Sequence, residues 1–128
     1  MKQYQAKNIL NIAIAGHSGS GKTSIAEAML YLSGATDRFG KVGEGSTICD
    51  FDPEEIKRKI TVATAVAPLE WKNHKINLID APGLFDFEGA LCEAVRAADS
   101  VLIAVSGKSG VAVVSTSSEP FFISWQGI

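Results

Sequence analysis

Cysteine is scarce in this chain: 2 in 128 residues, Cys49 and Cys92. Two thiols so far apart make neither a disulfide framework nor a metal-ligand pair. A stapled secreted scaffold and a zinc module are excluded, and free thiols in a reducing cytoplasm are the plain reading. A surplus of positive charge is also missing. Twelve Lys and Arg against 14 Asp and Glu give a formal net charge of −2. Broad affinity for nucleic acid, sequence-specific or not, therefore has no carrier, and neither has affinity for an anionic membrane. No apolar run is long enough to span a bilayer, and Met1-Lys2-Gln3-Tyr4-Gln5 lacks the apolar core of a signal peptide. No internal repeat is present. What remains is 46% hydrophobic and 20% charged, the profile of one soluble globular domain.

Glycine is plentiful and concentrated where it matters. Ala15-Gly16-His17-Ser18-Gly19-Ser20-Gly21-Lys22-Thr23-Ser24 fits G-x-x-x-x-G-K-[ST], with Gly16, Gly21, Lys22 and Thr23 in the defining places. A chain of phosphates needs several donors converging on a small volume, and backbone N–H groups supply them without side-chain bulk. Lys22 adds a point charge near the outer phosphates, and the Thr23 hydroxyl is placed to ligate Mg²⁺. The context agrees. Ile9 to Ala15 reads as a buried strand. From Lys22 to Ser33 the apolar residues Ile25, Ala28, Met29 and Leu32 fall at helical spacing, with Gly34 to close the helix. Strand, glycine loop and helix in that order bring the positive end of the helix to the phosphates.

Ala35 to Lys59 has no clean periodicity and many charges, and a connection of this length is usually functional or disordered. Within it Asp52-Pro53-Glu54-Glu55 predicts a helix start, with Asp52 as cap and Pro53 at the first helical position. The acidic run from Asp50 to Glu55 reads most simply as a solvated face. Ile60 to Trp71 reads as a strand. Lys72-Asn73-His74 is a turn, and Lys75 to Asp80 is a second strand forming an antiparallel hairpin. Glu88 to Ala98 predicts a helix with Leu91, Ala94, Val95 and Ala98 on one face. Ser100 to Val105 is a short buried strand, followed by the loop Ser106-Gly107-Lys108-Ser109-Gly110.

Asp80-Ala81-Pro82-Gly83 is D-x-x-G at a strand end. In a phosphate-loop protein such an Asp holds Mg²⁺ through water and the Gly N–H meets the γ-phosphate. A plain strand-ending turn uses the same residue types; downstream of the glycine loop and a hairpin, the metal reading is favoured. Thr61 is open to two readings, a β-branched strand opener or a second Mg²⁺ ligand. His17 reads as a backbone donor with a solvated ring, and His74 as a solvated turn residue.

These pieces together resemble the GTP-binding domain of translational GTPases, most closely elongation factor G and its paralogues. The resemblance rests on Gly16 to Ser24, on Arg58-Lys59-Ile60-Thr61-Val62 against R-G-I-T-I, and on Asp80-Ala81-Pro82-Gly83-Leu84-Phe85-Asp86-Phe87 against D-T-P-G-H-V-D-F. Ala94-Val95-Arg96-Ala97-Ala98-Asp99 resembles the helix that follows. It covers roughly residues 7 to 113. It implies a Ras-like α/β fold, a mixed and mostly parallel sheet with helices on both faces. It also implies GTP and GDP as ligands with Mg²⁺, a ribosome partner, and a switch-loop magnesium role for Thr61. The nucleotide set it implies is Gly16, His17, Ser18, Gly19, Ser20, Gly21, Lys22, Thr23, Ser24, Asp80 and Gly83. The metal set is Thr23, Thr61 and, through water, Asp80.

The chain departs from that pattern in three places. Lys59 stands where the family has Gly. Leu84 stands where the family has the His that acts on the attacking water, and leucine has no donor or acceptor. The family reads guanine with N-K-x-D, whereas no Asp follows Asp99 here. The expectation is a C-terminally truncated G domain over 1–113, joined to an unrelated tail over 114–128 that covers or leaves open the edge of the last strand. The alternatives are a phosphate-holding module without turnover or base selectivity, and a fragment without function.

Overall fold

The computed structural model describes residues 2–50, 52–83 and 88–108. In chain order it has β1 (Ile9–Ala15), α1 (Lys22–Leu32), α2 (Pro53–Arg58), β2 (Ala65–Trp71), β3 (His74–Asp80), α3 (Glu88–Ala97) and β4 (Ser100–Ile103). The sheet runs β2-β3-β1-β4. β1 pairs in parallel with β3 and with β4, and β2 joins β3 antiparallel. The hairpin turn is Lys72-Asn73, both at positive φ (45° and 64°), as the two-residue turns that match strand twist require. His74 is therefore not part of the turn: it opens β3 opposite Trp71.

Alternation along β1 and β3 sends side chains to two cores. Ile14, Leu78, Leu69, Ala26, Leu30 and Cys49 gather on the α1 face, and Ala13, Ile79, Ala81 and Ala94 on the α3 face. Helices thus cover both faces. Each fully buried Ile or Leu contributes roughly 1.5–3 kcal/mol of apolar transfer. The periodicity of α1 is phased differently from the expectation. Ala26 and Leu30 point inward together with Lys22, Thr23 and Glu27, while Leu32 is 74% exposed. Polar residues on the inward face hide the true stripe. On α3 the face expected from Leu91, Ala94 and Ala98 does meet the sheet.

Two further expectations are corrected. The strand from Ile60 begins only at Ala65, because the N–H groups of Val62 and Ala63 donate to Glu55 Oε1 (3.0 and 3.1 Å) instead of joining a strand. The acidic run is solvated only in part: Asp52 and Glu54 are exposed, but Asp50 and Glu55 are 4% and 2% exposed. Asp52 does cap α2, accepting from Glu54 N–H at 2.8 Å, and Glu55 answers it by accepting from Asp52 N–H. β4 is one of the two sheet edges among the described residues, β2 the other. It ends at Ile103 and not at Val105, and it is not the buried strand expected, since Ile103 and Val105 are exposed. The tail over 114–128 and Leu84 lie outside the described residues.

Candidate functional site

The site lies where β1 and β3 both end, the crevice that an α/β sheet opens at the carboxyl ends of its strands. β1 delivers the glycine loop. Gly16 sits at φ 146°, and a Cβ there would overlap the Ala104 carbonyl and lie 2.9 Å from Ser20 Oγ. Only glycine lets the loop cross so close to the chain after β4. Gly21, at φ 92°, precedes α1, and among the described residues no side chain caps that helix. Its first N–H groups are left for a ligand.

β3 delivers Asp80 and then Gly83. Gly83 O accepts from Ser18 N–H at 3.0 Å. A Cβ on Gly83 would overlap Lys22 Nζ and lie 2.7 Å from both Gly16 O and Ser18 N. The two loops are thus in backbone contact, and a side chain at Gly83 would part them.

Four oxygens form a buried line. Thr23 Oγ1 donates to Asp80 Oδ2 at 2.8 Å, Thr61 Oγ1 donates to Asp50 Oδ1 at 2.7 Å, and the two hydroxyl oxygens are 3.2 Å apart. Each hydroxyl has one proton. With both carboxylates ionised, both protons are committed outward, so lone pairs face each other across the 3.2 Å gap. Asp80 Oδ1 is buried with no hydrogen-bond partner among the described residues. Hard, neutral oxygens backed by carboxylates are donors for a small divalent cation.

The electrostatics point the same way. Burial, helped by the neighbouring charges of Asp50 and Glu27, pushes the Asp80 carboxyl up to about 6, against the Thr23 hydrogen bond and the Lys22 ammonium. Asp50 is raised, again mainly by burial. Lys22 Nζ donates to His17 O at 3.1 Å. Its pKa is lowered by burial, with Asp80 and Asp50 pulling the other way. The carboxylates of Asp50 and Asp80 thus face the Lys22 ammonium inside the cleft, and Lys59 also lines it.

The structure brings most of the expected residues to one cleft. Ser18, Gly19, Gly21, Lys22, Thr23 and Ser24 line it from one side, Thr61 and Gly83 from the other. Asp80 lies beneath Thr23. His17 keeps its ring exposed and contributes its carbonyl, which also accepts from Ser20 N–H at 3.1 Å. Ser20 Oγ is buried without a partner among the described residues.

Three carboxylates escape the sequence reading. Asp50 lines the cleft, Glu55 gathers backbone amides, and Glu27 is buried on α1. The Asp52-x-x-Glu55 spacing is readable as a capping box; a single sequence offers no comparable signal for Asp50.

A family model described as the elongation factor Tu GTP binding domain matches residues 7–123. A mitochondrial ribosome-releasing factor 2 of Yarrowia lipolytica is 42% identical over 114 residues, covering 86% of this chain and 14% of that protein. An elongation factor G-like protein of Mycobacterium tuberculosis is 43% identical over 103 residues, 80% of this chain and 14% of the other. A crystal structure of a Thermus thermophilus protein matches with a TM-score of 0.79 at 48% identity, over 82% of this chain and 16% of that one. The chain thus spans about 14% of the length of these curated relatives.

Proposed function

The chain belongs to the family of elongation factor Tu GTP binding domains, and on that premise we propose that it binds and hydrolyses GTP within an elongation factor G-like translation factor acting on the ribosome. The observation that carries the reading is the pair of buried hydroxyls of Thr23 and Thr61, 3.2 Å apart beneath a glycine loop and beside an unpartnered Asp80 oxygen. No membrane-spanning helix is present among the described residues. We place the factor in the cytoplasm, with the mitochondrion as the alternative that the Yarrowia relative's name suggests.

The donor set fits Mg²⁺. Thr23 and Thr61 would ligate it directly and Asp80 through water; bound there, it neutralises charge on the outer phosphates. The loop from Gly16 to Gly21 and the first turn of α1 supply N–H donors to the phosphates. Lys22, held now on the His17 carbonyl, has an ammonium whose desolvation an anionic phosphate offsets. Gly83 N–H lies in the segment that meets the γ-phosphate. In-line attack by water then rests on positioning and charge neutralisation. Leu84 gives that water no acceptor, so turnover is slow.

A second reading is favoured by Leu84, which has neither donor nor acceptor: a module that holds phosphates without turnover or base selectivity. As for organisation, we propose the motif-bearing unit over 1–113 and a tail over 114–128; the family match itself runs to residue 123.

Thermal unfolding with Mg²⁺ and GDP, a non-hydrolysable GTP analogue or the matching ATP analogue tests this, since a ligand of the folded state must raise the midpoint. A rise with guanine nucleotides alone supports the GTPase, and an equal rise with both purines supports the module. No shift contradicts both.

A further inference from the structure

Glu27 is 0% exposed, a costly place for an ionisable group unless something in the fold uses it. It lies one helical turn beyond Thr23 on the same inward face of α1. Its Oε1 accepts from Ile48 N–H at 2.5 Å and Cys49 N–H at 3.3 Å. Its Oε2 is buried with no hydrogen-bond partner among the described residues. The long loop passes over this carboxylate twice. A Cβ on Gly40 would overlap Glu27 Oε2 and lie 2.8 Å from Thr47 Cα, so the first pass needs glycine for close approach. The second pass is Ile48-Cys49, and Asp50 follows directly.

The contacts close into a ring. Thr23 is joined by one turn of helix to Glu27, Glu27 to the Cys49 amide, Asp50 to Thr61 at 2.7 Å, and Thr61 back to Thr23 at 3.2 Å. The rigid edge of the ring is the helical turn, about 5.4 Å of rise. We propose that Glu27 is a positioning residue for the cleft. It fixes where Asp50, and through it the Thr61 hydroxyl, stands relative to Thr23, and it is the point about which the stretch from Asp50 to Thr61 turns. This rests on the nucleotide reading of the cleft. It sets Glu27 apart from a buried acid that only steadies the loop, because such a role would weaken all ligands alike.

Two readouts in the full chain test it. The first is thiol labelling of Cys49 in a Cys92→Ser background. Cys49 is buried in the α1-face core and its thiol is pushed up to about 12, chiefly by burial, so it reacts only when the loop lifts. Glu27→Ala should speed labelling about tenfold, the scale of one hydrogen bond to a charged group. Glu27→Gln keeps an acceptor oxygen and should restore most of the protection. Gly40→Ala, which leaves the carboxylate but forces it aside, should reproduce the faster labelling and keeps the test alive if Glu27→Ala does not fold. The second readout is the affinity ratio of a non-hydrolysable GTP analogue with Mg²⁺ to GDP. It should fall about tenfold in Glu27→Ala and recover in Glu27→Gln. Labelling at the parent rate, or equal losses for both nucleotides, overturns the positioning role. A parent chain that binds neither nucleotide overturns the reading of the cleft itself, and the role with it; the variants are not needed to see that result.

Discussion

The loop from Gly16 to Gly21 and the loop from Ser33 to Thr64 meet over one cleft, yet they are held by opposite means. The first is shaped by backbone: glycines at positive φ, a carbonyl from Gly83 on Ser18 N–H, and close approach to the chain after β4. The second is held by buried side chains. Glu27 takes the amides of Ile48 and Cys49, Asp50 takes the Thr61 hydroxyl, and Glu55 takes the amides of Asp52, Val62 and Ala63. A loop shaped by backbone is preformed for its ligand. On the proposed nucleotide reading, a loop hung on carboxylates is placed to respond when a cation or phosphate alters the charge around them.

The comparison breaks most visibly at Lys22. Lys22→Ala should lower triphosphate affinity about a hundredfold, the upper range for a charge-assisted contact. It should leave folding stability nearly unchanged, because the buried ammonium is desolvated in the free protein. Calorimetric titration alongside a denaturant melt checks both; a large stability loss with little affinity loss would reverse the assignment of roles. On the other loop the pattern inverts. Glu55→Ala strands three backbone donors and should cost about 2–3 kcal/mol, seen as a lower urea midpoint at unchanged slope, with GDP affinity little altered.

Asp80 sharpens the contrast through pH. Its folded-state pKa of about 6 exceeds the ordinary 3.8, so the folded chain binds this proton more tightly than the unfolded one. The resulting stability is fully present below about pH 4 and is lost as pH rises through about 6; it amounts to about 2–3 kcal/mol. Subtracting the stability curve of Asp80→Asn from that of the parent should isolate this descending step, and a flat difference would show that Asp80 is not desolvated. The smallest effect belongs to Lys59, a non-glycine residue at φ 56° that caps α2. Lys59→Gly should raise stability by about 0.5–1 kcal/mol, measured as a higher melting midpoint.

This division also decides what a sequence can reveal. Gly16 and Gly21 are fixed by backbone requirements, and Lys22 and Thr23 follow them at a set spacing, so a short motif exposes all four. The hairpin at Lys72-Asn73, the Asp52 cap and the strand ending in Asp80 are legible for the same local reason. Asp50 and Glu27 are not, and Glu55 is legible only as the partner of Asp52 in a capping box, not as the acceptor of the Val62 and Ala63 amides. A buried carboxylate, on a loop or on a helix, looks like a solvated one until its partners are known. Those partners are the amides of Val62, Ala63, Ile48 and Cys49 and the hydroxyl of Thr61. The Val62 and Ala63 amides also explain why Ile60 to Thr64 stays out of β2 despite its β-branched content. Leu32, apolar and well spaced, is exposed because the inward face of α1 is the one that carries Thr23, Ala26, Glu27 and Leu30, and its polar members hide it from periodicity.

The most direct test of the central claim is the affinity for a non-hydrolysable GTP analogue as Mg²⁺ is titrated, in the parent chain and in Thr23→Ala and Thr61→Ala. If the facing hydroxyls are a cation site, Mg²⁺ strengthens triphosphate binding in the parent, and each single substitution removes most of that gain. Binding that ignores Mg²⁺, or a gain that survives both substitutions, would contradict the account.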